Sequence, residues 1–164
     1  MTVVRYCTPE WLEESARIYR ADPAVQKALE KVTVKFFFRV RADPAWAIDK
    51  DILFGTVVEK GALLDLAFFS EKAAREKADF VAAATPQEWK KVLRKEAKVL
   101  TEMMLRKIVL EQGSMAEALP LMPHAPTLVN VLTKAELRFP DEMSPDELEL
   151  FRKDVGEFRA RLGV

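Results

Sequence analysis

The sequence is poor in the residues from which most active sites are built. Its 164 residues include one cysteine, Cys7, and one histidine, His124. A lone cysteine excludes an internal disulfide framework, a zinc ribbon and a CxxC redox pair. A lone histidine removes His-rich metal sites and leaves one ring for any nucleophilic triad. Five glycines are scattered singly, with no GxxxxGK[ST] or GxGxxG loop to cradle a phosphate and no HExxH pair to hold zinc. No catalytic residue, metal site or cofactor is therefore expected. Long hydrophobic runs are missing too, since ALLDLAFF is interrupted by an aspartate and falls far short of the ~20 residues a bilayer span needs. The N-terminus MTVVRYCTPEW is charged too early for a secretory signal. Neither charge is in excess, with 26 basic and 26 acidic residues. That balance argues against nucleic-acid binding, which shows as a basic excess or patch, and limits membrane-surface contact to a transient one. A soluble cytoplasmic protein is the expectation. Asparagine (Asn130) occurs once, and glutamine only at Gln26, Gln87 and Gln112, against 32% charged residues. Amides are thermolabile, so this composition suits a thermophile.

What is present is a core. At 49% hydrophobic residues, and with about 150 residues per domain as the usual scale, residues 1–164 form one domain. Thr8 and Pro9 open a helix carrying Trp11, Leu12, Ser15, Ile18 and Tyr19 on one stripe. Asp22-Pro23 opens a second short helix, with Val25, Ala28 and Leu29 inward. From Val32 the period changes to two, and Val32, Val34, Phe36, Phe38 and Val40 share one face of a strand. Phe37 stands among charges on the other face, which predicts a helix or a partner packed there. Ile52–Glu59 and Ala62–Ser70, joined by Lys60-Gly61, read as a hairpin, and Gly55 inside it predicts a bulge or a close backbone approach. Ser70–Lys77 is a charged excursion and Ala78–Ala84 a small-residue strand. Thr85-Pro86-Gln87-Glu88 starts a helix with a capping box. A helix through Met103 and Met104, a strand over Lys107–Glu111 and helical pieces at 114–119 and 126–134 follow, the last two joined by the loop PLMPHAP. This order is α+β, with helices on one face of a largely antiparallel sheet.

Few side chains suggest chemistry. The acidic pairs Glu13-Glu14 and Asp146-Glu147 sit where helix faces and caps place them. Asp65 lies between Leu64 and Leu66, and alternation turns it away from both. His124 lies in a proline-bounded loop, and Cys7 carries no nucleophile signature around it. Lys90-Lys91, Arg94-Lys95 and Arg106-Lys107 read as solvated faces, or as contacts to anionic headgroups. The methionines and phenylalanines are the more informative residues. Met103, Met104, Met115 and Met122 cluster, and an adaptable Met-lined apolar space accepts varied ligand shapes.

From Leu29 to about Leu137 the chain resembles the sterol-carrier-protein (lipid-transfer) family. The resemblance is carried by Ala78-Asp79-Phe80-Val81, Thr85 with Trp89 four residues on, and the Met103-Met104 helix. It continues through Lys107-Ile108-Val109-Leu110, Gly113 and the amphipathic pair Ala116–Leu119 and Leu128–Leu132. The strand VKFFFRV and the hairpin around Gly61 fit the family's opening sheet. Arg106 stands near where the family usually has a glycine, and the chain ends Arg161-Leu162-Gly163-Val164 rather than in a peroxisomal Ser-Lys-Leu.

The resemblance implies a five-stranded sheet and helices enclosing an apolar tunnel. The implied function is non-catalytic carriage of a fatty acyl, isoprenoid or sterol-like molecule. Phe36, Phe38, Phe54, Leu66, Phe68, Met103, Met104, Leu119, Met122, Leu128 and Leu132 are the lining candidates. Two other readings stand beside it: an interaction module without ligand, and an enzyme with a site near His124, Asp65 and Asp79. Beyond the resemblance, Ser144-Pro145-Asp146-Glu147 caps a helical extension over 144–162. Its stripe Leu148, Phe151, Val155, Phe158 and Leu162 predicts either a lid or packed flank, or the seam of a homodimer.

Overall fold

A computed structural model describes residues 2–164. Five strands form the main sheet in the order β4-β3-β2-β5-β6. These are β2 (Val34–Val40), β3 (Ile52–Glu59), β4 (Ala62–Phe68), β5 (Phe80–Ala84) and β6 (Val109–Gln112). Three of the neighbouring pairs are antiparallel; β2 and β5 run parallel, so the chain crosses from β4 to β5 through α3 (Glu71–Lys77).

The strand richest in aromatics, β2, takes the centre, where both of its faces can be covered. Val34, Phe36 and Val40 are buried toward the main core and Phe38 is half-buried there, with Phe36 opposite Thr56 and Phe80, and Phe38 opposite Phe54 and Ala82. Phe37 faces the other way. It is fully buried with Leu53, Ala74, Ala78 and Val81, and its ring stacks on Phe69 at 4.2 Å. A short helix, α3, therefore covers part of the second face, while the other helices gather on the first.

Gly55 pairs with Phe37, and a Cβ at position 55 would lie 2.3 Å from that ring. The glycine marks a close approach; the bulge falls elsewhere. Val57 opposes Asp65 but Val58 opposes Leu63, which leaves Leu64 as the extra residue. That slip breaks the simple alternation expected around Asp65: Leu64 and Asp65 are both exposed, while Leu66 turns inward. The hairpin turn forms where expected, with Lys60 and Gly61 at φ 47° and 82°, the left-handed pair that a two-residue type I′ turn requires.

Around the sheet lie α1 (Pro9–Ala21), α2 (Pro23–Ala28), α4 (Pro86–Leu93), α5 (Val99–Met104), α6 (Met115–Ala118), α7 (Ala125–Leu132) and α8 (Pro145–Leu162). Trp11, Leu12, Ser15, Ala16 and Tyr19 form the buried face of α1. Thr8 precedes this helix without capping it, because its hydroxyl donates to the Arg5 carbonyl at 2.6 Å. Ala28 is exposed rather than inward, and Leu29, just beyond α2, makes the contact. At α4 only half of the expected capping box forms, with the Thr85 hydroxyl accepting from the Glu88 amide at 3.3 Å. The proline-rich stretch before α7 winds into a 3₁₀ helix, Leu119–His124. Proline's fixed φ suits such a turn even though it removes donors.

Two elements carry no sequence signal. β1 (Val3–Arg5) and β7 (Glu136–Arg138) pair in parallel as a separate two-stranded sheet, each burying one side chain, Val4 and Leu137. The extension α8 packs on its own domain. Phe151, Val155 and Phe158 are buried, Phe158 lies 4.9 Å from the Phe68 ring, and Arg5 pairs with Asp154 at 2.8 Å. Arg159 donates to the carbonyls of Lys50 and Asp51. Among the described residues no helix is long and apolar enough to cross a membrane.

Candidate functional site

Two voids lie between the sheet and the helices. The inner one, about 120 Å³, is walled by the aromatic face of β2 and β3 and by α1, α4 and α7. An outer groove of about 610 Å³ opens between the α4–α5 link and the segment from Leu119 to Asn130. Val92, Val99, Met122, Ala125 and Val129 belong to both walls, so one layer of side chains separates the two spaces.

Three polar side chains of the inner wall are already engaged by backbone carbonyls. Tyr19 donates to the Gly61 carbonyl at 2.7 Å, Thr56 to the Phe36 carbonyl at 3.2 Å, and the Trp89 indole to the Arg39 carbonyl at 2.9 Å. Each bond also ties a wall residue to a strand or turn, which fixes the shape of the cavity. Tyr6 borders the space with its hydroxyl fully covered and without an oxygen or nitrogen partner. Burial pushes that phenol well above its ordinary range, and the adjacent Cys7 adds to the shift. Burial likewise pushes the Cys7 thiol up, so it stays protonated and is a poor nucleophile.

Of the eleven lining candidates, Phe36, Phe38, Phe54, Met122, Leu128 and Leu132 stand on the inner wall. Leu119 stands on the outer one, which Met122 shares. Four lie on neither. Leu66 is buried on the edge strand β4, and Phe68 turns to Phe158 of α8. Met103 is packed into the core at 7% exposure, while Met104, one position on around a six-residue helix, is 71% exposed. Adjacent helix positions are about a hundred degrees apart, so one methionine of such a pair faces out. Tyr19, Val34, Trp89, Val92 and Val99 also wall the voids. Tyr19 and Val34 lie on stripes visible in the sequence, but a stripe marks an inward face without telling cavity from solid core.

The alternative catalytic grouping does not assemble on either wall. His124 borders the inner void, whereas Asp65 is exposed opposite Val57, and Asp79 accepts the Lys35 amide at 2.9 Å. Among the described residues no cluster of histidine, cysteine and acidic side chains is arranged to hold a metal ion. One acidic pair forms that no sequence pattern announces. Glu88 on α4 and Glu102 on α5 are neighbours whose carboxyl groups influence each other's titration. Glu88 raises Glu102 above the ordinary carboxyl range, with burial adding to it, while Glu88 itself is lowered; Lys91 and Lys107 flank the pair. One oxygen of each carboxyl is covered and otherwise unpartnered.

The sheet, its helical cover and a predominantly apolar void define a cavity-bearing α+β domain. No protein-family model matches the sequence, and no curated protein matches it significantly. Solved structures do. A crystal structure of sterol carrier protein 2 superposes with a TM-score of 0.69 at 25% identity, covering 78% of this chain and 97% of the other. A conserved hypothetical protein from Thermus thermophilus, whose description offers sterol carrier protein as its identity, gives 0.68 at 26%, covering 76% and 85%. Sterol carrier protein 2 from Yarrowia lipolytica, in its apo form, shares the fold at 0.54 and 12% identity, covering 74% and 88%. The chain shares the fold of sterol carrier protein 2.

Proposed function

We propose that the protein binds and carries one lipid-like molecule, without catalysis, in an apolar passage formed when the inner void and the outer groove join. The observation that carries this reading is the inner wall, predominantly apolar with its Tyr19, Thr56 and Trp89 donors committed to backbone carbonyls. Such a wall can recognise length and bulk. Size supports a two-part site. The inner void, at about 120 Å³, is near the ~150 Å³ of an engineered cavity that holds a benzene. A long chain therefore extends into the outer groove. Each buried methylene contributes roughly 0.8 kcal/mol, so ten give about 8 kcal/mol before ordering costs. A lone buried thiol suits carriage in a reducing cytoplasm.

The test is uptake of a fluorescent fatty acyl probe by protein stripped of lipid. Saturable binding near micromolar affinity is expected, and Met122→Trp, at the shared wall, lowers it by at least about tenfold. Absence of saturable binding across several chain lengths would remove this reading. A dry protein with a defined dimer mass would favour the interaction module instead.

A further inference from the structure

Beside the outer groove, the end of α5, the residue that follows it and Leu119 carry apolar side chains in contact with water. Met104 is 71% exposed, Leu105 60% and Leu119 47%. Leu119 borders the groove itself, and so does Leu100, one helical turn before Met104 on the same side of α5. The exposed charges in this stretch are mostly of one sign. From Lys95 to Lys107 four basic residues (Lys95, Lys98, Arg106 and Lys107) stand with two acids, Glu96 and Glu102, and Glu102 is buried against Glu88. Lys95 and Lys98 border the groove. None of the four basic side chains enters a salt bridge among the described residues. On a chain of zero net charge, this is a local basic rim around an apolar opening.

We infer that this rim is a membrane-docking face: Met104 and Leu105 enter the interfacial layer of an anionic bilayer while Lys98, Arg106 and Lys107 meet its headgroups. Apolar side chains flanked by lysine and arginine are what such a surface binds. A protein partner is disfavoured by size, because three protruding side chains fall well short of the ~1,200 Å² that a stable interface buries. A bilayer accepts them without a shaped pocket. In purpose the inference rests on the carrier reading, since it places the passage mouth against the phase that holds the ligand. Its geometry is independent of that reading.

The experiment is flotation of the full-length protein with vesicles of phosphatidylcholine alone, or of phosphatidylcholine in which about one lipid in three is phosphatidylglycerol. The wild type is expected to bind the anionic vesicles at least about tenfold better, and to lose that preference as salt screens the headgroups. Met104→Ser with Leu105→Ser lowers binding by at least about tenfold, as does Lys98→Glu with Arg106→Glu. Leu150→Ser, which alters a leucine 56% exposed on α8, leaves it unchanged. Equal binding to both vesicles overturns the inference. So does retained binding by both double variants, or an equal loss with Leu150→Ser. It is also overturned if the wild type ignores vesicles but is a dimer that Met104→Ser with Leu105→Ser separates, since a second copy is then the occupant. Probe uptake without vesicles is read on the same proteins. If uptake fails while flotation behaves as expected, the carrier reading falls and the docking face stands.

Discussion

Glu102 couples stability to pH. Its folded-state pKa lies above the ordinary 4.5 because Glu88 and burial favour the protonated form. Folding therefore takes up a proton there, and that contribution is complete below the ordinary value and lost as pH rises through the raised one. Glu88 is lowered in the same pairing, so its contribution lies above the ordinary value and is lost as pH falls. Glu102→Gln removes the titrating group and offers Glu88 a permanent amide donor. The variant is expected to unfold at higher urea concentration than wild type at pH 8 and at a similar one near pH 4. Equal midpoints at both pH values would show that the pair holds no proton. Nothing in the sequence announces this pair, since its members are fourteen positions apart on separate helices. Phe37 is the opposite case. An aromatic on an otherwise charged strand face predicts a cover, and α3 supplies it.

At the scale of elements, α8 is a flank rather than a lid, for none of its residues borders either void. Removing everything after Met143 uncovers the partners of Phe151, Val155 and Phe158, at roughly 1.5–3 kcal/mol for each buried side chain. A marked loss of stability is expected, with solution mass unchanged and probe affinity held within about twofold. Phe158→Ala, which removes the ring on Phe68, is the milder version. Halving of the mass on truncation would make the helix a subunit seam instead. Strong periods made α1, β2, the β3–β4 hairpin, α4 and α8 legible. The pair β1–β7 was not, because a three-residue strand burying one side chain shows no period at all. The Leu64 bulge escaped for a related reason: one inserted residue reverses an alternation that must be read as continuous. The void itself was only partly legible. Met103 and Met104 share a chemistry, yet one is core and the other surface.

Across the whole molecule, ion pairs join segments far apart in sequence. Arg39 reaches Asp51, Glu71 and Glu111, Lys90 pairs with Asp141, Arg94 with Glu142, and Arg152 with Asp49. Networks of this kind retain value as temperature rises, because charged groups lose hydration free energy. The protein is expected to melt above the ~45–65 °C band of mesophilic domains, with calorimetry as the check and a midpoint inside that band as the contrary result. The β1–β7 pairing has a consequence for biosynthesis. Val3 is hydrogen-bonded alongside Glu136, and the Trp11 indole is held by the Leu132 carbonyl at 2.8 Å. At a translation rate of about 5–20 residues per second, roughly 7–27 s separate the appearance of those partners. Throughout that interval the Trp11 indole N–H lacks its acceptor and the Tyr6 ring lacks Phe139, which lies 5.0 Å from it in the folded chain. A segment made early is thus completed late, and it is where a chaperone would find its grip.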